Sequence, residues 1–340
     1  MGLSKFGIFG LFMVAGLAAP VAAGPFEDGL LAAQQGDYPT ALKYWQPLAE
    51  RGMAEAQYNL GLMHASGRGV RLDPVEAVKW YQKAALQGLA KAEANLGYMY
   101  ESGQGVARDY AEAAKWFRQA AEKSFALAQY NLGLLYEEGR GVAQDYDEAL
   151  RWHKKAAQLG YAESQYRLGL MYAEGRGAPL DQVEAAKWFY KAAERGEPRA
   201  QTAFGLICEN GQGVRKDYVE AVKWFRKAAE QGYVEAQHHL GRMCDYGRGT
   251  KQNYAEAVRW YKMAAQRGFA YSQSNLGVMY GKGLGVKQDM VQAQMWFILA
   301  ANQGLEEGIK NRDLAIAKLD QSEIAEAEKL AKAWNGLTPF

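Results

Sequence analysis

Apolar residues recur along this chain with a period of 36, and each period carries two helical patterns. Leu-Gly stands at Leu60-Gly61, Leu96-Gly97, Leu132-Gly133, Leu168-Gly169, Leu240-Gly241 and Leu276-Gly277, with Phe204-Gly205 in the remaining slot. Trp80, Trp116, Trp152, Trp188, Trp224, Trp260 and Trp296 keep the same step. Trp45 falls one residue off that register, inside an incomplete starter unit from Phe26 to Arg51. A fixed period of this length marks stacked supersecondary units. The sequence therefore predicts seven full repeats from about Ala54 to Gly304.

Each repeat reads as two helices joined by a glycine loop. In the first helix Ala128, Leu132 and Tyr136 fall at i, i+4 and i+8, along one face. Gly133 lacks a side chain, which predicts a close crossing by the partner helix. The loop Gly139-Arg140-Gly141-Val142 supplies residues that tolerate positive φ. The second helix opens on a capping box: Asp73, Asp109, Asp145, Asp181 and Asp217, each with Glu three residues later. Asn253 with Glu256 and Asp289 with Gln292 are close variants. Within that helix Ala113, Trp116 and Ala120 share a face.

One such hairpin cannot bury its own apolar face, whereas stacked neighbours create a continuous core. The expected fold is therefore an all-α solenoid with covered ends. Residues 24–53 form the starter hairpin, 54–304 the repeats and 305–340 a C-terminal cap. The period breaks after Gly304, where Arg312 stands in the Leu slot. Helices are predicted over Leu305 to Leu319 and Ile324 to Trp334, the second started by Asp320 with Glu323 and ended by Gly336.

The bulk numbers exclude some partners. With 40 basic and 38 acidic residues there is no electrostatic case for nucleic acid or an anionic membrane surface. At the N-terminus Lys5 precedes the apolar run Phe6 to Ala19, and Val21-Ala22-Ala23 has the small-residue pattern of a cleavage site. This reads as a secretory signal over 1–23, cut after Ala23. The run is too short to span about 30 Å of hydrocarbon. The expected location is periplasmic or secreted, with no membrane insertion after cleavage.

The unit Ala-x-x-x-Leu-Gly-x-x-Tyr-x-x-Gly-x-Gly-Val-x-x-Asp-x-x-x-Ala-x-x-Trp-x-x-x-Ala-Ala-x-x-Gly stands nearly complete in Ala92 to Lys123 and in Ala128 to Gly160. It resembles the Sel-one-like repeat (SLR), a relative of the tetratricopeptide repeat. That resemblance implies a right-handed superhelical α/α solenoid whose first helices line a concave face. It also implies a non-enzymatic adaptor or scaffold for proteins or peptides. A spacer in an envelope complex is the alternative, and a penicillin-recognising hydrolase-like activity has been ascribed to some relatives.

Tetratricopeptide relatives use asparagines of the first helix to hold an extended peptide backbone. The corresponding slot here holds Asn59, Asn95, Asn131, Arg167, Ala203, His239 and Asn275. An amide side chain offers both a donor and an acceptor to a peptide group; packing against a neighbouring helix is the other reading. Adjacent slots add Tyr58, Tyr130, Tyr166 and His238, then Leu62, Tyr98 and Arg242. Tyr and Arg suit binding hot spots. Arg167, His239 and Arg242 would give the middle of the groove positive character, suited to an acidic segment or a C-terminal carboxylate.

Other chemistry finds little purchase. Cys208 and Cys244 occupy one slot, 36 residues apart. Adjacent helices pack about 8–10 Å apart, while a disulfide wants Cα atoms within about 7 Å, so two buried thiols are preferred over a bridge. The spacing seen in relatives that staple helices within one repeat is absent. His238, His239, Cys244 and Cys208 do not converge on one helical face, and no metal site or cofactor is expected. His64 and His153 stand isolated. The chain after the signal contains no Ser-x-x-Lys or Lys-Thr-Gly, so no catalytic residue is assigned.

Overall fold

The computed structural model describes residues 24–334; the secretory signal expected over 1–23 and the helix stop expected at Gly336 lie outside them. The described residues form eighteen helices and no strand. The starter pair is α1 (Pro25–Gln34) and α2 (Tyr38–Glu50). Seven hairpins follow. They are α3 (Ala54–Ser66) with α4 (Pro74–Leu86), α5 (Ala90–Ser102) with α6 (Tyr110–Glu122), and α7 (Ala126–Glu138) with α8 (Tyr146–Gln158). Next come α9 (Ala162–Glu174) with α10 (Gln182–Glu194) and α11 (Pro198–Asn210) with α12 (Tyr218–Glu230). The last two are α13 (Val234–Tyr246) with α14 (Tyr254–Gln266) and α15 (Ala270–Lys282) with α16 (Met290–Asn302). The C-terminal helices are α17 (Glu306–Ile316) and α18 (Gln321–Ala333). The chain divides into two compact units, one holding 24–164 and 175–179, the other 165–174 and 180–334. Consecutive helices pack on one another from α1 to α8 in the first unit and from α10 to α17 in the second, as a solenoid requires.

The two loop glycines have different tasks. Gly139 ends α7 in the left-handed conformation, φ +65°, where its N–H caps the Leu135 carbonyl. Gly141 is also left-handed, φ +70°, but a Cβ there would run into the Tyr110 carbonyl of the preceding repeat. The second glycine thus lets its loop touch the start of the preceding repeat's second helix backbone to backbone.

The glycine of Leu-Gly meets a ring. A Cβ on Gly133 would lie 2.7 Å from the His153 imidazole, and one on Gly97 2.8 Å from the Phe117 ring. The expected close approach at Gly133 is therefore a side-chain plug from the second helix and not a backbone crossing. The plug recurs as Tyr81, Phe117, His153, Phe189, Phe225, Tyr261 and Phe297, each directly after the periodic Trp. Trp45 lies 36 residues before Tyr81 and is itself fully buried, so it belongs to this plug series. In α6 the fully buried residues are Ala113, Phe117 and Ala120, while Trp116 is half-buried.

Helix starts form half of the expected box. Asp109 Oδ1 accepts from the Ala111 and Glu112 N–H groups at 2.9 and 3.0 Å. Its own N–H is already held by the Tyr100 carbonyl at 2.9 Å, and Asp73, Asp145, Asp181, Asp217, Asn253 and Asp289 repeat that bond. Glu112 consequently turns outward to Lys115, as Glu220 turns to Lys223. Among the described residues the box is completed at Asp320, where no such carbonyl arrives and Glu323 accepts from the Asp320 N–H at 3.0 Å.

Buried glutamines tie each hairpin to the one before. Gln57 and Gln129 donate to the Ala49 and Ala121 carbonyls at 3.0 Å. The Gln57 carbonyl oxygen in turn accepts from Gln87 at 2.8 Å, and Gln201 and Gln273 accept likewise from Gln231 and Gln303. Glu93 and Lys123 replace such a pair of amides by an ion pair. Gln129 breaks the pattern: Leu159 stands where its donor is due, leaving the Gln129 carbonyl oxygen buried without a partner. Leu159→Gln should supply that donor and remove an exposed leucine, raising the unfolding free energy by about 1 kcal/mol. A urea midpoint that stays put or falls would show that the orphaned oxygen carries no penalty.

At the C-terminal end α18 packs on α16, where Trp334 meets Trp296 edge-on at 4.9 Å. The two final helices therefore cover α15 and α16 side by side and are not chiefly packed on each other.

Candidate peptide-binding face

Contacts to the second helix of the same repeat and to the first helix of the neighbouring repeat decide which expected site residues remain open. Tyr58 is buried against Tyr81 at 5.9 Å, its hydroxyl pushed up to about 12 by burial. Tyr130 is buried between His153 and Tyr161, at 5.7 and 5.3 Å. These two rings are core, with little surface left for a ligand. Tyr166 is half-buried, 5.6 Å from Phe189 and covered by the Arg199 guanidinium at 4.8 Å. His238 is buried too, its Nδ1 3.0 Å from Ser272 Oγ. Burial, reinforced by His239 and Arg242, holds its pKa down to about 3.

The positive centre expected from Arg167, His239 and Arg242 does not form. His239 stacks on Phe225 at 5.1 Å, and burial followed by the Arg242 charge holds its pKa down to about 4, so it is neutral near pH 7. Arg242 donates to Glu209 at 3.0 Å, and that carboxylate, itself 8% exposed, offsets the charge. Arg167 is half-buried beside Tyr166.

The asparagine slot divides. Asn59 is buried, and the Asn95 amide faces the Tyr58 and Tyr81 hydroxyls. Asn131 and Asn275 are half-buried and engage no other side chain among the described residues, so their amides stay open on the first-helix face. The ring-plug and glutamine series were missed from the sequence. Both keep the 36-residue step, and that step was the available signal.

His153 is not isolated. Its Nε2 lies 2.7 Å from Glu137 Oε1 and its Nδ1 3.4 Å from Ser164 Oγ, the order carboxylate, imidazole, hydroxyl. A nucleophile relay has that order, but His153 and Ser164 are both fully buried and no substrate can reach the hydroxyl. Cys208 and Cys244 are buried free thiols, their pKa pushed up to about 11 by burial. Among the described residues no three His, Cys, Asp or Glu side chains converge as a metal site, and no helix is long and apolar enough to cross a membrane.

Comparison with known proteins agrees with this geometry. A Sel1 repeat protein from Oxalobacter formigenes is 31% identical over 71% of this chain and 97% of that one, with a TM-score of 0.65. A protective antigen of uropathogenic Escherichia coli displaying an SLR fold is 28% identical over 91% of both chains, with a TM-score of 0.56. No curated protein matches the sequence. The model of the Sel1 repeat matches eight times, over 25–53, 54–89, 90–125, 126–161, 162–197, 198–233, 234–269 and 270–305. With nearly all of the described residues so matched, the chain belongs to the Sel1-repeat family.

Proposed function

We propose that the chain is an exported, non-enzymatic scaffold that holds an extended peptide or protein segment on the face of its first helices. Sel1-repeat proteins commonly mediate protein–protein interactions and are generally not enzymes. The observation that carries the reading is an open amide recurring in one first-helix slot, at Asn131 in one compact unit and at Asn275 in the other. A peptide backbone offers what such an amide lacks, one acceptor and one donor per residue. The signal-like pattern of residues 1–23 supports an envelope location for this activity.

The test compares the full chain with the Asn131→Ala/Asn275→Ala variant as bait for envelope proteins. Proteins retained by the parent should be lost by the variant at an unchanged melting temperature. Retention of the same set by both would leave these amides without a binding role and favour a spacer.

A further inference from the structure

The two loops that precede α12 and α14 carry a concentration of exposed cations. Arg215, Lys216, Arg248 and Lys251 are all exposed there. Arg215, Lys216, Asp217, Tyr218, Val219 and Gly249 line a surface recess of about 530 Å³, within the usual span of ligand-sized pockets, about 300–1,000 Å³. Arg248 lies over the rings of Tyr218 and Tyr246 at 5.9 and 5.3 Å, and Lys216 lies over Tyr218 at 4.9 Å. Stacking on a ring orients a cation without neutralising it. The acid of the recess is already engaged, since Asp217 accepts from the Val219 and Glu220 N–H groups at 2.9 Å. Glu209 reaches Arg248 only at 4.0 Å and holds Arg242 closer. Apolar surface sits beside the charge: Val219 is 55% exposed and Tyr246 60%.

This combination is local. The corresponding loop positions one repeat earlier are Pro179 and Leu180, and one repeat later Lys251 and Gln252. A long polyanion needs a continuous basic track, which these neighbours do not extend. We propose that the Arg215/Lys216 recess is a docking site for a short acidic protein segment that also presents an apolar side chain, with carboxylates on Arg215, Lys216 and Arg248 and the apolar group on Val219. It lies on the loop edge, apart from the first-helix face, and stands whether or not that face binds peptide.

The test titrates the full chain into a fluorescein-labelled decapeptide of alternating Glu and Leu and reads anisotropy. Binding should weaken several-fold between 50 and 300 mM salt, because exposed charges are screened over a Debye length of about 10 Å at 0.1 M. Arg215→Glu/Lys216→Glu should weaken it at least tenfold. A control with the same charge change on exposed second-helix lysines, Lys187→Glu/Lys223→Glu, should leave affinity within about twofold. Arg215→Ala/Lys216→Ala, with thermal melts of every variant, separates loss of charge from loss of fold. Equal weakening by both reversals would reduce the effect to general attraction and overturn the site. So would tighter binding of single-stranded DNA or anionic phosphatidylglycerol vesicles than of the acidic peptide.

Discussion

Gly141→Ala should lower the unfolding free energy by about 3 kcal/mol or more, while Gly139→Ala, two residues away, should cost about 1–2 kcal/mol. Both glycines are left-handed, with φ of +70° and +65°, so both variants force an L-residue into a conformation that crowds its Cβ. The difference lies in the surroundings. At Gly139 the new Cβ meets the Gln144 Cβ at 3.1 Å, which can relax within its own loop. At Gly141 it meets the Tyr110 carbonyl of the preceding repeat, and clearing it means separating two stacked hairpins. Nearest-neighbour interfaces supply much of a repeat array's stability, so the damage should exceed that of a local strain. Urea titration followed by far-UV circular dichroism measures both. Equal midpoints for the two variants would show that this loop-to-helix contact yields easily and that the second glycine answers only to its own φ.

Phe117→Ala should cost about 3–5 kcal/mol, more than Trp116→Ala, although tryptophan is the larger side chain and the more conspicuous landmark in the sequence. Phe117 is fully buried against Gly97, so truncation leaves a cavity that Gly97 has no side chain to fill. Trp116 is half-buried, and its removal exposes existing surface to water rather than opening a void. Its loss should cost about 1–2 kcal/mol. The same denaturation experiment ranks the pair, and the reverse order would displace the ring plug as the main anchor of the hairpin. Because Tyr81, Phe189 and Phe225 fill the equivalent niches at Gly61, Gly169 and Gly205, the ranking should transfer between repeats.

Much of this architecture is readable in one dimension because its determinants are local. The helix starts at Asp109, Asp145 and Asp217 need only a side-chain oxygen two or three residues from an unsatisfied N–H. The stops at Gly103 and Gly139 need only freedom at positive φ. The 36-residue spacing of Leu-Gly and Trp then sets the number of full hairpins. The capping box was legible only in part. Its acceptor half depends on the helix it starts, but its donor half depends on whether the preceding helix brings a carbonyl to the cap, as Tyr100 does for Asp109.

The proposed binding face shows the same division. The slot holding Asn59, Asn95, Asn131 and Asn275 could be located by counting, yet the four asparagines have different surroundings. Asn59 is buried and Asn95 faces two tyrosine hydroxyls, while Asn131 and Asn275 remain open. The charge at Arg242 could be counted, but its offset by Glu209, 33 residues earlier, could not. By itself the sequence determined the repeat, its two helices, their caps and their loops, since each follows from residues within a turn or two of one another. Tertiary structure decided which aromatic of each Trp-ring pair is the plug, which polar groups are tied and which stay free. Those outcomes depend on burial and on partners about 20 to 40 residues away, brought within reach only when the two helices of a hairpin pack together and one hairpin stacks on the next.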